Sequence, residues 1–334
     1  MSFALPTELK EVYFSMGTKH NIRRNYEEEL VTIFDAFQQF LEDKQAHNLA
    51  KSSLIDYEDS FRYFMNFFEF DEYTPIHVVN SDMFRKWTLD LLDRDIKPTS
   101  INRYLRDCKV FFNWCINNAL LFTELQIDMV KGQEDPIKCF SDSDLTLILQ
   151  KPTNKSDFIE WRTWTVVNWV LATGNRAGTV VEVRIGDIDF KNKEITLRHT
   201  KNKKAQIVPL SSKLSAVIKE YLHTWRYGCS LEDFLFPNQA NEKLTVEALA
   251  HSFTKYCKKR GSTKTSIHGL RHSFALNWIR KGGNQFKLQK ILGHSTLDMT
   301  RRYVALAAID LKEDYDNFCT LDNMSKTCKP KKLI

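Results

Sequence analysis

Between residues 25 and 120 the apolar side chains return every three or four positions, the repeat of a buried helix face. Leu30, Ile33, Phe34, Phe37, Phe40 and Leu41 make a first stripe behind the acidic start Glu27-Glu28-Glu29. Leu54, Tyr57, Phe61, Phe64 and Phe68 make a second, with Ser53 and Asp56 placed as a capping pair. A third helix is expected from Asn80 or Ser81 through Phe84, Trp87 and Leu91. A fourth follows Pro98, with Thr99 or Ser100 as cap, and runs Ile101, Leu105, Cys108, Phe112, Cys115. Four such helices close into one bundle with a Phe-rich core. Composition points the same way: 11 Gly and 8 Pro in 334 residues, about half the usual ~12% share, supply too few turns for a many-stranded β protein.

Residues 121–140 lose this repeat, and Gly132-Gln133-Glu134-Asp135-Pro136 places turn formers and charge between two halves. Beyond it, Ser141-Asp142-Ser143-Asp144 reads as a helix start, and Trp161, Trp164, Val167 and Leu171 as a buried stripe. From 185 to 210 the pattern shortens to strands in three runs, 185–190, 194–199 and 205–210. Their turns fall at Asn192 and at Lys201-Asn202-Lys203-Lys204. Helices resume from 211 to about 315, broken at Gly228, Gly261, Gly282-Gly283 and Gly293. The expected fold is mainly α with a small antiparallel β-sheet (α+β). Its expected parts are a short extension 1–22, a helical domain 23–125, a linker 126–140, a second domain 141–315 and a tail 316–334.

Several function classes drop out. No apolar run approaches the ~18–20 residues of a membrane span, and the start Met-Ser-Phe-Ala-Leu-Pro is no signal peptide, so a cytoplasmic protein without a membrane partner is expected. The seven cysteines are odd in number and never in CxxC, which reads as reduced thiols rather than a disulfide frame or zinc site. Walker A, HExxH and strand-linked GxGxxG patterns are absent. No cofactor and no metal are therefore expected.

The formal net charge of +6 is a poor guide, because the charge is unevenly placed. From Ala248 to Leu297 there is no Asp or Glu, where the chain average would put about six. Ten Lys and Arg stand there, Lys258, Lys259 and Arg260 among them, with His251, His268, His272 and His294. A solvated helix face mixes both signs, whereas a surface that follows a polyanion excludes acids. Nucleic acid is the expected partner.

Around this window stand residues suited to phosphoryl transfer. His268 and Arg271 are three apart in His268-Gly269-Leu270-Arg271-His272, hence on one helix face. Leu292-Gly293-His294 follows, and Tyr303 comes nine residues after that His. Upstream, Thr173-Gly174-Asn175-Arg176 ends one helix and opens another, and Lys201 lies in the expected sheet turn. Singly, each has a plainer explanation in packing, a surface ion pair or solubility; their order and spacing together do not.

This order resembles the tyrosine recombinase (phage integrase) family. The matching text is Ala172-Thr173-Gly174-Asn175-Arg176 with Gly186-Asp187-Ile188-Asp189, Thr200-Lys201 with Val208-Pro209-Leu210, the 268–272 motif, and Leu292-Gly293-His294-Ser295-Thr296 leading to Tyr303. It spans about 140–305, and the helical segment 25–120 is similar to the family's core-binding domain. The resemblance implies a C-shaped clamp on double-stranded DNA with specific core sites. It implies strand exchange through a Holliday junction within a homo-tetramer held by C-terminal tails. One departure is Thr179, where the family commonly has an acid; Glu182 is the nearest acid.

In the implied chemistry Tyr303 is the nucleophile, leaving a 3′-phosphotyrosyl bond that keeps the phosphodiester's energy, so rejoining requires neither metal nor ATP. Arg176 and Arg271 hold the non-bridging oxygens, His268 is the general base or proton relay, and His294 bonds the phosphate. Lys201 protonates the departing 5′-oxygen, with Lys203 and Lys204 as competitors. Asn102, Arg103 and Arg106 on the fourth helix, with Lys258, Lys259 and Arg260, are candidate DNA contacts. The expected role is integration, excision or transposition of a mobile element, alternatively Xer-type chromosome-dimer resolution. Two rivals are a type IB topoisomerase, which reseals the same duplex, and a non-catalytic DNA-binding regulator.

Overall fold

A computed structural model describes residues 31–132, 136–153, 155–198, 205–294, 296–307 and 319. The chain forms two compact units, divided between Asp135 and Pro136.

The first unit holds α1 (Ile33–Ala46), α2 (Lys51–Phe67), α3 (Ser81–Asp93) and α4 (Pro98–Asn117). Thr32 caps α1 and Asn80 caps α3, each accepting a hydrogen bond from a first-turn backbone N–H. The other two starts differ from expectation. Ala50 precedes α2 without a side-chain cap, so Ser53 and Asp56 lie inside the helix, and Asp56 instead pairs with Arg103 at 2.7 Å. Pro98 opens α4 at its first position, where its missing N–H costs nothing, which leaves Thr99 and Ser100 inside. Among the described residues the expected stripes are buried, Tyr57 and Phe68 only partly so, apart from Phe34, which faces outward at 41% exposure while Ala36 and Phe37 turn inward; Leu30 lies outside the described residues. Phe37 stacks on Phe61 at 3.7 Å, and Phe111 meets Phe37 edge-on at 5.2 Å. Leu121 and Ile127 complete this core, so the chain just past α4 belongs to the bundle.

The second unit is built on α6 (Phe158–Thr173), which is buried nearly all round through Trp161, Trp164, Val166, Val167, Trp169 and Val170. Around it come α5 (Asp142–Leu149), α7 (Ala177–Val180), α8 (Ser212–Trp225), α9 (Val246–Lys259) and α10 (Ile267–Arg280). A small core of Ala275, Ile279, Leu288, Leu292 and Tyr303 joins α10 to α11 (Gln285–Leu292) and α12 (Asp298–Leu306). The sheet is β1 (Ile188–Asp189), β2 (Glu194–Leu197) and β3 (Gln206–Pro209), antiparallel in the order β1-β2-β3 with Ile195 opposite Val208. These strands are shorter than the expected runs, because residues 185–187 form a 3-10 turn. Residues 199–204, including Lys201, Lys203 and Lys204, lie outside the described residues.

Asp144 ties α5 to the loop after α9. Its carboxylate accepts from Ser262 Oγ at 2.8 Å, the Thr263 backbone N–H at 2.8 Å and Ser141 Oγ at 2.8 Å. Burial works to raise this carboxyl, and these hydrogen bonds outweigh it, bringing the pKa down from 3.8 to about 2. The stabilisation is therefore complete above pH 3.8 and fades as pH falls through about 2. Asp144→Ala is expected to lower stability by about 3 kcal/mol, read as a fall in denaturant midpoint without a change in slope.

Candidate active site

Five helices converge to build the site. α6 stops at Thr173 because Gly174 adopts the left-handed conformation at φ 67°, and Arg176 then stands at the start of α7. Helix α10 carries His268, Arg271 and His272 at positions i, i+3 and i+4, one above the other. α11 ends at Gly293, also left-handed at φ 62°, and delivers His294. α12 turns Thr300 and Tyr303 inward, Tyr303 being 4% exposed.

Arg271 is the hub. Its Nη1 donates to Gly174 O at 2.8 Å, and its Nη2 donates to Leu292 O at 3.0 Å and to His294 Nε2 at 2.8 Å. A guanidinium cannot accept, so His294 Nε2 is the acceptor and the imidazole proton sits on Nδ1, which donates to Thr300 Oγ1 at 3.0 Å. Arg176 Nη1 reaches the same Leu292 carbonyl at 3.5 Å. Both acceptors stand at helix C-termini, where the carbonyls carry the negative end of the backbone dipole. Among the described residues neither guanidinium has a carboxylate partner, and Glu182 is paired with Lys243 instead. Thus Thr179, at the position where an acid was wanting, lines the pocket while carbonyl dipoles hold the arginines.

The nucleophile candidate has its own partner. Tyr303 Oη lies 2.7 Å from His272 Nδ1, its ring is parallel to that of His294 at 6.5 Å, and His268 packs edge-on to His272 at 4.4 Å. Loss of solvent pushes His272 and His294 down to about 4, helped by His268 and Arg271 beside the first and by Arg271 and Arg176 beside the second. His268, the most open of the three imidazoles, is lowered by partial desolvation, Arg271 and Arg176. Burial brings Arg271 to about 10, with Arg176 adding repulsion, and the Tyr303 phenol rises on burial although Arg271 opposes this. A pocket of about 210 Å³ opens beside them, walled by Arg176, Thr179, Gln206, Arg271, Leu292 and His294. A concave site with two guanidinia and, among the described residues, no carboxylate facing them is chemically suited to an oxyanion such as a phosphodiester.

Five of the six residues expected to act together are therefore gathered: Arg176, His268, Arg271, His294 and Tyr303. Lys201 lies outside the described residues. His272 carried no role in the sequence reading; its position four residues after His268 was visible, but its approach to Tyr303 is a tertiary event. Thr300, three residues before Tyr303, was missed for the same reason.

The expected DNA contacts are more varied. Asn102 exchanges two hydrogen bonds with the Val130 backbone at 2.9 and 2.7 Å, pinning the chain after α4. Arg103 pairs with Asp56, while Arg106 and Lys258 are exposed. Lys259 and Arg260 both bind Glu160, at 2.6 and 2.9 Å.

Gly174→Ala probes the hub from outside the reacting groups. An added Cβ would sit 2.5 Å from Phe274 Cδ1 and 2.6 Å from Leu292 Cδ2, at a backbone angle that alanine resists. A loss of about 3 kcal/mol is expected from strain and overpacking combined, measured by thermal unfolding.

The profile of the phage integrase family matches residues 139–309. The chain belongs to this family, that of the tyrosine-type site-specific DNA recombinases. Tyrosine recombinase XerC of Chlamydia caviae is 26% identical over 234 residues, 69% of this chain and 74% of the relative. Tyrosine recombinase XerA of Saccharolobus solfataricus is 27% identical over 271 residues, 78% and 84% of the two chains. A solved structure of the Tn1549 transposon integrase with transposon right end DNA has the same fold, with a TM-score of 0.71 at 17% identity, covering 88% of this chain and 100% of that one.

Proposed function

We propose that the chain cleaves and rejoins double-stranded DNA at specific core sites through a 3′-phosphotyrosyl intermediate on Tyr303. The observation that carries this reading is the placing of a buried, hydrogen-bonded tyrosine beside two guanidinia that, among the described residues, have no competing carboxylate. Arg176 and Arg271 take the non-bridging oxygens and hold the added charge of the five-coordinate transition state. Arg271 can do so without giving up its anchors, since a guanidinium has five N–H groups and Arg271 makes three hydrogen bonds to Gly174, Leu292 and His294. His294 fixes Arg271 from the pocket wall, and Lys201 supplies the proton to the 5′-oxygen. The product of cleavage is resealed by the 5′-hydroxyl of a partner duplex, through a Holliday junction in a homo-tetramer joined by the C-terminal tails.

The process served is integration, excision or transposition of a mobile element in the bacterial cytoplasm. A fold shared with a transposon integrase is compatible with this role. Xer-type chromosome-dimer resolution is the second reading, favoured by the names of the sequence relatives. Trapping the protein on suicide duplexes cut from its own locus, then sequencing the attached ends, separates the two. Ends that flank a movable segment support the first; a single chromosomal site with no such segment overturns it in favour of the second.

A further inference from the structure

We propose that His272 is a catalytic residue, whose Nδ1 takes the hydroxyl proton of Tyr303 as that oxygen attacks phosphorus. The inference rests on the reading of Tyr303 as nucleophile and assigns a role to a residue given none so far. The Tyr303 Oη–P bond forms and the P–O5′ bond breaks. The phenolic proton moves to His272, and the departing 5′-oxygen receives its proton from elsewhere. On rejoining, the 5′-hydroxyl attacks phosphorus and its proton passes back to the group that protonated the 5′-oxygen, Lys201 in the proposed function, while the Tyr303 Oη–P bond breaks and His272 returns its proton to the phenolate.

Geometry singles out this imidazole among three. Only His272 lies within hydrogen-bonding distance of Tyr303 Oη among the described residues, at 2.7 Å. His294 stands near, but its Nε2 lone pair is engaged by Arg271 and its Nδ1 carries a proton already given to Thr300, so it has no lone pair for Tyr303. His268 touches the edge of the His272 ring and makes no hydrogen bond to Tyr303. A general base must first be within reach of the proton it removes, and among the described residues His272 alone meets that condition.

The surroundings fit a base that works only when substrate is present. His268 and Arg271 on its own helix and Arg302 on α12 all oppose a positive charge on His272, which keeps its lone pair free in the resting protein. A scissile phosphate brings the opposite sign, and its charge grows as phosphorus becomes five-coordinate. An anion beside an imidazole favours the protonated ring. Proton transfer is thus disfavoured until the phosphate is engaged.

The test is single-turnover cleavage of a nicked suicide duplex carrying the site recovered from the protein's own locus. His272→Ala is expected to cleave about 10²–10³-fold more slowly, with DNA retention on a native gel near wild type. Added imidazole restores at least part of that rate. His272→Asn, which can keep a hydrogen bond to Tyr303 but cannot accept its proton, stays slow at an unchanged melting temperature. A duplex with sulfur at the scissile 5′ position, whose leaving group requires no protonation, does not rescue either variant. Cleavage by His272→Asn within threefold of wild type overturns the proposal, as does rescue by the sulfur substrate, which would place His272 at the leaving oxygen. An adduct that persists in Tyr303→Phe overturns the nucleophile reading itself, a separate result.

Discussion

Tyr303→Phe is expected to abolish the covalent protein–DNA adduct altogether, leaving DNA binding intact. Phenylalanine retains the ring that packs among Ala275, Ile279, Leu288 and Leu292 in the small core of α10, α11 and α12. What disappears is Oη and its hydrogen bond to His272, a change of about 1 kcal/mol in stability. A denaturing gel of end-labelled suicide duplex reads the adduct, and a native gel reads binding. Loss of the adduct with binding retained separates a strand transferase from a regulator that uses basic helices alone. Exchange of ends between two differently labelled duplexes then separates it from an enzyme that reseals only its own duplex.

Arg271→Lys is expected to be nearly as damaging, although it conserves charge. The guanidinium reaches Gly174 O, Leu292 O and His294 Nε2 from two nitrogens while its other N–H groups remain for substrate. An ammonium has three donors at one point and cannot span those acceptors and a phosphate together. Cleavage should fall about 10³-fold, as when a transition-state donor is removed, and stability by about 2 kcal/mol from carbonyls left unpaired. Single-turnover rates and a urea titration measure the two separately. A variant that cuts within tenfold of wild type would mean that Arg271 serves the fold and not the transition state.

The sequence carried the helices well because their signal is local and repeated. Phe37, Phe61, Phe64 and Phe112 announced one core by period alone, and Gly174 and Gly293 marked helix ends where only a left-handed residue stops the turn. It misled where a side chain could be local or tertiary. Asp56 has the spacing of a capping partner and is used by Arg103, forty-seven positions away. Asn102 has the character of a base-reading residue, and its side chain also holds the Val130 backbone, a contact its residue type does not announce. The site showed the same limit. Its charged members could be picked out by order along the chain, but the groups that hold Arg271 are main-chain carbonyls of Gly174 and Leu292, which no residue type betrays. His272 stands in plain view within the 268–272 motif, and only the packing of α12 on α10 gives it a partner.

Holding the arginines by carbonyls rather than carboxylates has a thermodynamic consequence. Partial charges anchor the two cations without cancelling them, so the unliganded protein carries repulsion between Arg176 and Arg271 in its folded state. A phosphodiester relieves that repulsion, and whatever binds the folded chain in preference to the unfolded one raises its apparent stability. With the scissile phosphate seated in this pocket as proposed, substrate affinity and conformational stability are linked there, and the bound phosphate supplies part of the electrostatic complement of the fold.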